Sequence, residues 1–217
     1  MIGIRGVGAN VPDFRSGSEG ELAQLRERFD RDHCVRMDGF LDPELRERII
    51  AGVEEASFYE RSHGDIGLEG CMEANSTLAT LLLAANDERL FRVIREITGC
   101  GPIGCFDGRV YRLEPGGEHH DSWHSDMADN RMIAMSLNLS REPYAGGVLQ
   151  IRKRDSEEIV HEEPSPDPGD AIFFRIDESL RHRVTAVEGE VARTAFAGWF
   201  KSSPSFADVL RGGGWSA

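Results

Sequence analysis

The chain has 217 residues, of which 25 are basic and 38 acidic, and its formal net charge is −13. This length suits a single domain with a substantial core, and an acidic balance without a basic stripe argues against nucleic acid and membrane surfaces as partners. The four cysteines form no CxxC pair, no signal-peptide pattern opens the sequence, and the longest apolar run, LATLLLAA, is too short to span a bilayer. A cytoplasmic protein with reduced thiols is therefore expected.

The first part of the chain, residues 1–102, is predicted to be mostly helical. Helix starts are indicated by the capping box Ser18/Glu21, by Asp42 followed by Pro43, and by Asp87, whose helix ends near Gly99. The sequence HCVRM at 33–37 is compatible with a short strand, and the polar, glycine-containing segment near 57–76 is predicted to be a long loop.

From about residue 103 the pattern changes to short apolar runs separated by turn sequences such as EPGG, YAGG and SPDPGD. Predicted strands lie within 103–113, 132–139, 147–153, 171–176, 182–187 and 192–200. Many short strands at fairly even spacing favour a mainly β fold with flanking helices, of the β-sandwich or jelly-roll type. The expected organisation is one domain, 1–217, with a jelly-roll core at 103–201 and a C-terminal tail at 202–217.

The sequence contains four His-x-acid pairs, namely His63/Asp65, His119/Asp121, His124/Asp126 and His161/Glu163. About one such pair is expected by chance. On a strand, such a pair presents an imidazole and a carboxylate on one face. The first pair lies in the predicted loop, the second follows a turn, and the last sits in an acidic stretch without a strand pattern. The pair within WHSD is therefore the best candidate for a metal site.

Two downstream residues strengthen that choice. His182 follows a predicted strand and loop, and a second histidine would complete the two-His-one-carboxylate set that binds non-haem Fe(II) and leaves three positions open. Arg193 shares one face of the last strand with Ala195, Ala197 and Trp199. A permanent cation among small residues needs an anion, which either an acidic residue of the chain or a ligand carboxylate supplies.

A series of motifs follows in chain order over residues 104–200: YRLEPGG, WHSD, SLNLS, YAGGVLQI, PGDAIFF, HRVTAVEG and R-x-A-x-A-x-W. Together, these motifs resemble the Fe(II)/2-oxoglutarate-dependent oxygenases, particularly the prolyl-hydroxylase and phytanoyl-type branches. The resemblance implies a double-stranded β-helix, related to the cupins, with His124, Asp126 and His182 as iron ligands. It also implies that Arg193 binds the distal carboxylate of 2-oxoglutarate. Tyr111 and Asn138 fall where the family places side chains that bind this cosubstrate, although a packed aromatic and a satisfied core amide are equally good interpretations.

The implied activity is a dioxygenase reaction in which Fe(II), 2-oxoglutarate and O₂ oxidise an unactivated C–H bond, with succinate and CO₂ as coproducts. A carboxylate at Asp126 favours hydroxylation over halogenation, for which related enzymes carry a small residue there. The substrate is expected to be a small molecule, an amino acid or a peptide; the sequence decides neither which one nor the oligomeric state.

The alternatives are a cupin-like metalloenzyme that does not use 2-oxoglutarate and a non-catalytic ligand-binding jelly roll. The additional pair His119/Asp121 has no assigned role, and a rim position or substrate contact are both open.

Overall fold

Two β-sheets of unequal size face each other in the computed structural model, which describes residues 2–7, 11–63, 67–116, 122–128 and 130–211. The major sheet contains, in spatial order, β3 (Cys34–Met37), β11 (Ala171–Arg175), β7 (Arg131–Asn138), β14 (Arg193–Lys201), β6 (Cys105–Leu113), β5 (Gly67–Met72) and β4 (Phe58–His63). The minor sheet contains β10 (Ile159–Glu163), β9 (Leu149–Lys153) and β12 (Leu180–Val184). Neighbouring strands in both sheets are antiparallel.

Two further strand pairs are short. One joins β1 (Ile2–Val7) to β2 (Val11–Ser16), and the other joins β8 (Ala145–Gly146) to β13 (Val187–Glu188). The helices are α1 (Glu19–Asp32), α2 (Pro43–Glu54), α3 (Ser76–Ala85), α4 (Glu88–Thr98) and α5 (Phe206–Leu210). The prediction of a mainly β fold with flanking helices is confirmed.

The predicted helix ends form as their chemistry requires. The Ser18 hydroxyl accepts from the Glu21 amide while the Glu21 carboxylate accepts from the Ser18 amide, so the capping box is complete. Asp42 caps α2 with Pro43 in its first turn, and Gly99 ends α4 with a φ of +69°. These local interactions fix where the helices begin and end against the major sheet.

The alternation of side chains along β14 gives the major sheet two different faces. One face carries Phe196 and Phe200, which pack with Phe106 and the helices in the larger hydrophobic cluster. The other face carries Trp199, which packs with Phe174 and the inward residues of the minor sheet in a second cluster. The helices therefore cover one face of the major sheet. The other face borders the space between the two sheets, which contains the polar residues described below.

The structure corrects the prediction for the segment 57–76, which is not a long loop. It forms the hairpin of β4 and β5, and β5 joins the major sheet through Gly70 and Cys71 paired with β6. Its polarity reflects its place at the edge of the sheet, because β4 is the last strand of the sheet within the described residues and several of its side chains are exposed. The segment 202–217 likewise contains the short helix α5, and the first part of the chain contains β1 and β2, which the sequence did not predict. Among the described helices, none has the length and apolar character to cross a membrane.

Candidate metal centre

Backbone pairing brings the two predicted histidines side by side. His182 lies on β12, opposite Ile151 of the central minor-sheet strand, and its side chain points between the two sheets. His124 joins His182 through an isolated antiparallel bridge, in which the two residues exchange backbone hydrogen bonds of 3.1 and 3.0 Å. The bridge extends the minor sheet by one residue pair and places both imidazoles at its end, with 4.4 Å between ring centroids.

Asp126 completes the group that the sequence predicted. Its Oδ1 lies 3.6 Å from His124 Nε2 and its Oδ2 lies 3.3 Å from His182 Nε2. One potential ligand atom from each of the three residues lies within 4.8 Å of the other two. Two imidazole nitrogens and one carboxylate oxygen thus converge in the arrangement that a facial triad requires.

The Asp126 carboxylate is held by two residues of the major sheet. The Trp199 indole Nε1–H donates to Asp126 Oδ2 at 2.7 Å, and the Arg131 guanidinium lies 3.8 Å from Oδ1. Arg131 also stacks on the Trp199 ring, 3.6 Å from its centroid. Burial alone would raise the pKa of Asp126, but the hydrogen bond and charge of His182, the Trp199 hydrogen bond and the charge of His124 outweigh burial and lower the pKa to about 2. The group is therefore a carboxylate at any physiological pH.

His124 is oriented by its own backbone. Its Nδ1 lies 2.7 Å from the carbonyl oxygen of Ser122. A carbonyl can only accept, so Nδ1 carries the proton and, in a neutral ring, Nε2 carries the lone pair on the side of Asp126. This is the tautomer that a histidine needs to bind a metal through Nε2, with the carbonyl fixing the ring. His182 is fixed by packing, with the Phe174 ring centroid 4.7 Å from its own.

Arg193 is the first residue of β14 and shares a face with Trp199. Its Nη2 donates to the Ser136 hydroxyl at 2.9 Å, and its Nε is buried without a hydrogen-bond partner. No carboxylate of the described residues lies within ion-pair distance of Arg193. Of the two anions that the sequence allows as its partner, an acidic residue of the chain is therefore not found among the described residues. The guanidinium keeps donors for an anion from outside the chain.

The YAGG turn makes room for this arginine. Gly147 has a φ of +64°, and a Cβ placed there would lie 2.6 Å from the Tyr144 ring and 3.1 Å from Arg193 Cδ. A side chain at this position would therefore be strained in its backbone and would push against Arg193. The glycine lets the arginine stem lie close to the backbone of the minor-sheet connection.

Tyr111 and Asn138, the other predicted cosubstrate contacts, lie opposite Ala195 on the strands that flank β14, so they share a face with Arg193. Burial raises the pKa of the Tyr111 phenol, which therefore keeps its proton as a hydrogen-bond donor. The Asn138 amide donates to the Pro166 carbonyl at 2.7 Å and accepts from the Ser140 amide at 2.9 Å. These bonds match the alternative of a satisfied core amide, and a cosubstrate role for Asn138 stays a prediction.

The other three His-x-acid pairs lie outside the principal metal centre or outside the described residues. His119 and Asp121 lie outside the described residues, as does Asp65 of the first pair. His161 and Glu163 lie on β10, so the prediction that no strand continues there is wrong. The acidic residues around this pair hide the strand pattern, because β10 is an edge strand on which Glu162 alternates with the pair His161/Glu163.

Three residues of the site were missed from the sequence. Ser136 and Arg131 lie on β7, and Trp199 was noted only as a neighbour of Arg193. The register of β7 against β14, which pairs Ser136 with Ala197 and Ala134 with Trp199, would have revealed them. That register is a tertiary property that a single sequence does not display.

A surface cavity of about 610 Å³ has Arg131, a neighbour of Asp126, in its wall. Its walls are formed by the end of α4, the start of β7 and the segment after β11, and they include Met127, Arg131, Arg175 and Glu178. Arg131 is common to the cavity and to the Asp126 contacts, and the lining contains none of the three candidate metal ligands.

A family model described as the 2OG-Fe(II) oxygenase superfamily matches residues 108–201. No curated protein sequence matches the chain. Among solved structures, an oxidoreductase of the 2OG-Fe(II) oxygenase family from Burkholderia pseudomallei is similar at 18% identity and a TM-score of 0.66, covering 91% of this chain and 97% of that one.

A prolyl-4-hydroxylase from Pseudomonas putida is similar at 19% identity and a TM-score of 0.65, covering 84% and 99% of the two chains. The epimerase SnoN, in complex with Fe³⁺, alpha ketoglutarate and nogalamycin RO, is similar at 16% identity and a TM-score of 0.63, covering 91% and 93%. The predicted double-stranded β-helix and the predicted family resemblance are confirmed, and the predicted cofactors, Fe(II), 2-oxoglutarate and O₂, are those of the matched superfamily.

Proposed function

With the 2OG-Fe(II) oxygenase superfamily match over residues 108–201 as premise, we propose that this chain is an Fe(II)- and 2-oxoglutarate-dependent dioxygenase that hydroxylates an unactivated C–H bond. The observation that carries the proposal is the convergence of His124, Asp126 and His182, whose ligand atoms lie within 4.8 Å of one another. A jelly roll that merely bound a ligand would have no need to bring these three side chains together.

The donor set fits a ferrous ion. His124 offers Nε2 because Ser122 accepts the proton on Nδ1, and the low pKa of Asp126 keeps its carboxylate charged. Trp199 and Arg131 contact the same carboxylate and limit the orientations it can adopt, as supporting residues of metal sites do. When bound, iron with 2-oxoglutarate and O₂ supplies the oxidising power, with succinate and CO₂ as coproducts.

Arg193 binds the distal carboxylate of 2-oxoglutarate in this proposal. The guanidinium has no carboxylate partner among the described residues, and Ser136 holds one of its nitrogens in place. A planar cation fixed in this way presents the remaining N–H groups to an incoming carboxylate as a pair. Tyr111 stands on the neighbouring strand with its phenol protonated and is the second candidate donor to the cosubstrate.

The proposed reaction type and substrate class rest on the ligand set and on the similar structures. If iron binds at this centre, the Asp126 carboxylate would fill the ligand position that a halide would need, which favours hydroxylation over halogenation. Similar structures bear the names of a prolyl-4-hydroxylase and of an epimerase with a bound small molecule. We assign the substrate to small molecules, amino acids or peptides, and we place its entry at the cavity beside Arg131 and Met127.

The test is an anaerobic titration of the metal-free protein with Fe(II) and 2-oxoglutarate, followed by visible absorption. We expect the weak metal-to-ligand charge-transfer band of a chelated 2-oxoglutarate in the wild type and its loss in His124→Ala. His33→Ala is the matched control, because His33 lies at the end of α1 and outside the cluster. A wild type without the band, or a band that survives in His124→Ala, refutes the proposal. Fe(II) binding without the band favours a cupin-like enzyme that does not use 2-oxoglutarate.

A further inference from the structure

A second group of metal-binding side chains lies between the two sheets, away from the centre described above. Cys34, His161 and Glu163 each offer one ligand atom, and these atoms lie within 4.8 Å of one another. Cys34 comes from β3, which is the edge strand of the major sheet, and the other two come from β10, which is the edge strand of the minor sheet. The group therefore spans the seam where the two sheets face each other.

Strand geometry directs all three side chains inward. Cys34 pairs with Phe174 and belongs to the cluster between the sheets, with an exposure of 2%. His161 and Glu163 are two residues apart on β10 and pair with Ile151 and Leu149, both of which face the same cluster. A register shift between Ile159 and His161 marks an irregularity of the kind that redirects side chains beside functional sites. Two ionisable residues thus occupy inward positions where a jelly roll normally places apolar ones.

Contacts within the group orient its donors. His161 Nε2 lies 3.2 Å from Glu163 Oε2, while the other oxygen, Oε1, lies 3.7 Å from the Arg36 guanidinium. Arg36 also lies within 4 Å of Asp38 and Asp170, so it keeps carboxylate partners if Glu163 turns toward a cation. The side chains of His161 and Glu163 are 19% and 14% exposed, so the group is partly accessible from solvent although Cys34 itself is buried.

We propose that Cys34, His161 and Glu163 form a second metal site that binds Zn²⁺. Sulfur, imidazole nitrogen and carboxylate oxygen are the three donors that zinc combines in proteins, and three protein ligands leave a fourth tetrahedral position for water. The ligand set repeats the His-x-acid pair of the principal centre but adds a thiolate where that centre has a second histidine. A thiolate selects a softer, borderline ion over Fe(II) or Mg²⁺.

The two sites are separate but close. His161 and His182 both pair with Ile151, one from each side of β9, so their strands are two spacings apart, or roughly 10 Å. A metal in the second site would connect the edge strands β3 and β10 and close the seam between the sheets. Burial raises the pKa of the Cys34 thiol, so the apo protein holds a proton there that the metal displaces on binding.

The experiment is a Co²⁺ titration of the metal-free, full-length protein under reducing conditions, because cobalt substitutes for zinc and reports sulfur ligation optically. A thiolate-to-cobalt charge-transfer band in the near ultraviolet distinguishes the second site from the principal centre, which contains no sulfur. We expect the wild type to show this band and to bind two Co²⁺ per chain by equilibrium dialysis. Zn²⁺ added in excess should abolish the band.

Variants assign the band to its ligands. Cys34→Ser should lose the band and bind one Co²⁺, whereas His124→Ala should keep the band and bind one. Cys100→Ser is the matched control for the remaining thiols, since Cys100 belongs to neither group of candidate ligands. His161→Ala, at a more exposed position, should also lose the band and decides the matter if Cys34→Ser fails to fold.

Absence of the band in the wild type, its survival in both Cys34→Ser and His161→Ala, or its loss in Cys100→Ser overturns the proposal. None of these outcomes affects the iron and 2-oxoglutarate titration, so the two sites are tested independently.

Discussion

Replacing Trp199 with phenylalanine removes the indole N–H that donates to Asp126 and keeps a smaller aromatic ring beside Arg131. The indole donates to Asp126 Oδ2 at 2.7 Å, and the Asp126 side chain is only 17% exposed. A hydrogen bond to a charged group in such surroundings contributes about 1.5–3 kcal/mol, and each 1.4 kcal/mol corresponds to a factor of ten. We therefore expect Trp199→Phe to weaken Fe(II) binding by about 10- to 100-fold, the usual effect of losing a residue that supports a metal ligand.

The assay is the apparent Kd for Fe(II), measured anaerobically at saturating 2-oxoglutarate through the charge-transfer band. Trp123→Phe is the control, because the Trp123 ring lies beside Arg152 and Arg183, with no described contact to Asp126. If Trp199→Phe binds Fe(II) as tightly as the wild type, or if both variants weaken it equally, the indole does not orient the carboxylate and the reasoning fails.

Four further substitutions test neighbouring features. Arg193→Met should raise the KM for 2-oxoglutarate by roughly 100-fold, as expected when a partly buried charge partner is lost. The KM is measured by succinate formation at varied cosubstrate concentration. Gly147→Ala should destabilise the protein by about 1–2 kcal/mol in urea unfolding and raise the same KM, because its φ of +64° is unfavourable and its Cβ would press on Tyr144 and Arg193. Asn138→Ala should lower the free energy of unfolding by about 1–3 kcal/mol, because two buried hydrogen bonds are lost. An unchanged KM for 2-oxoglutarate would establish a structural role for Asn138, whereas a raised KM without destabilisation would assign Asn138 to cosubstrate binding. Phe200→Ala should cost about 3–5 kcal/mol in the same unfolding assay and leave Fe(II) affinity unchanged, since Phe200 lies on the helix side of the sheet.

The elements that the sequence predicted well are those controlled by local interactions. Ser18, Asp42 and Gly99 act within a few residues of their own positions, so their capping roles can be read from adjacent residues alone. The strands of the β core follow from alternation and turn residues in the same way. The sequence singles out His124, Asp126 and His182 because the motifs that contain them follow one another in the order of the family over nearly sixty residues. That order carries long-range information that the spacing within one motif does not contain.

What could not be predicted depends on which strands become neighbours. The hairpin of β4 and β5 has a polar sequence because it lies at the edge of a sheet, and nothing local announces that it will pair with β6. The contacts of Trp199 with Asp126 and of Arg193 with Ser136 likewise arise from strand register. The acidic neighbours of His161 and Glu163 hide an edge strand in the sequence, and the proximity of this pair to Cys34 arises only when the two sheets face each other.

The two-faced character of β14 also has a consequence for how this sequence can change over evolutionary time. Phe196 and Phe200 face the helices while Arg193 and Trp199 face the space between the sheets, and all four positions are set by a period of two. Inserting or deleting one residue within this strand would send the aromatic side chains toward the metal centre and the arginine or tryptophan into the helix layer. Single substitutions in β14 keep every other side chain on its own face of the sheet. An insertion or deletion keeps the faces only if it involves two residues, or if a β-bulge accommodates the extra residue.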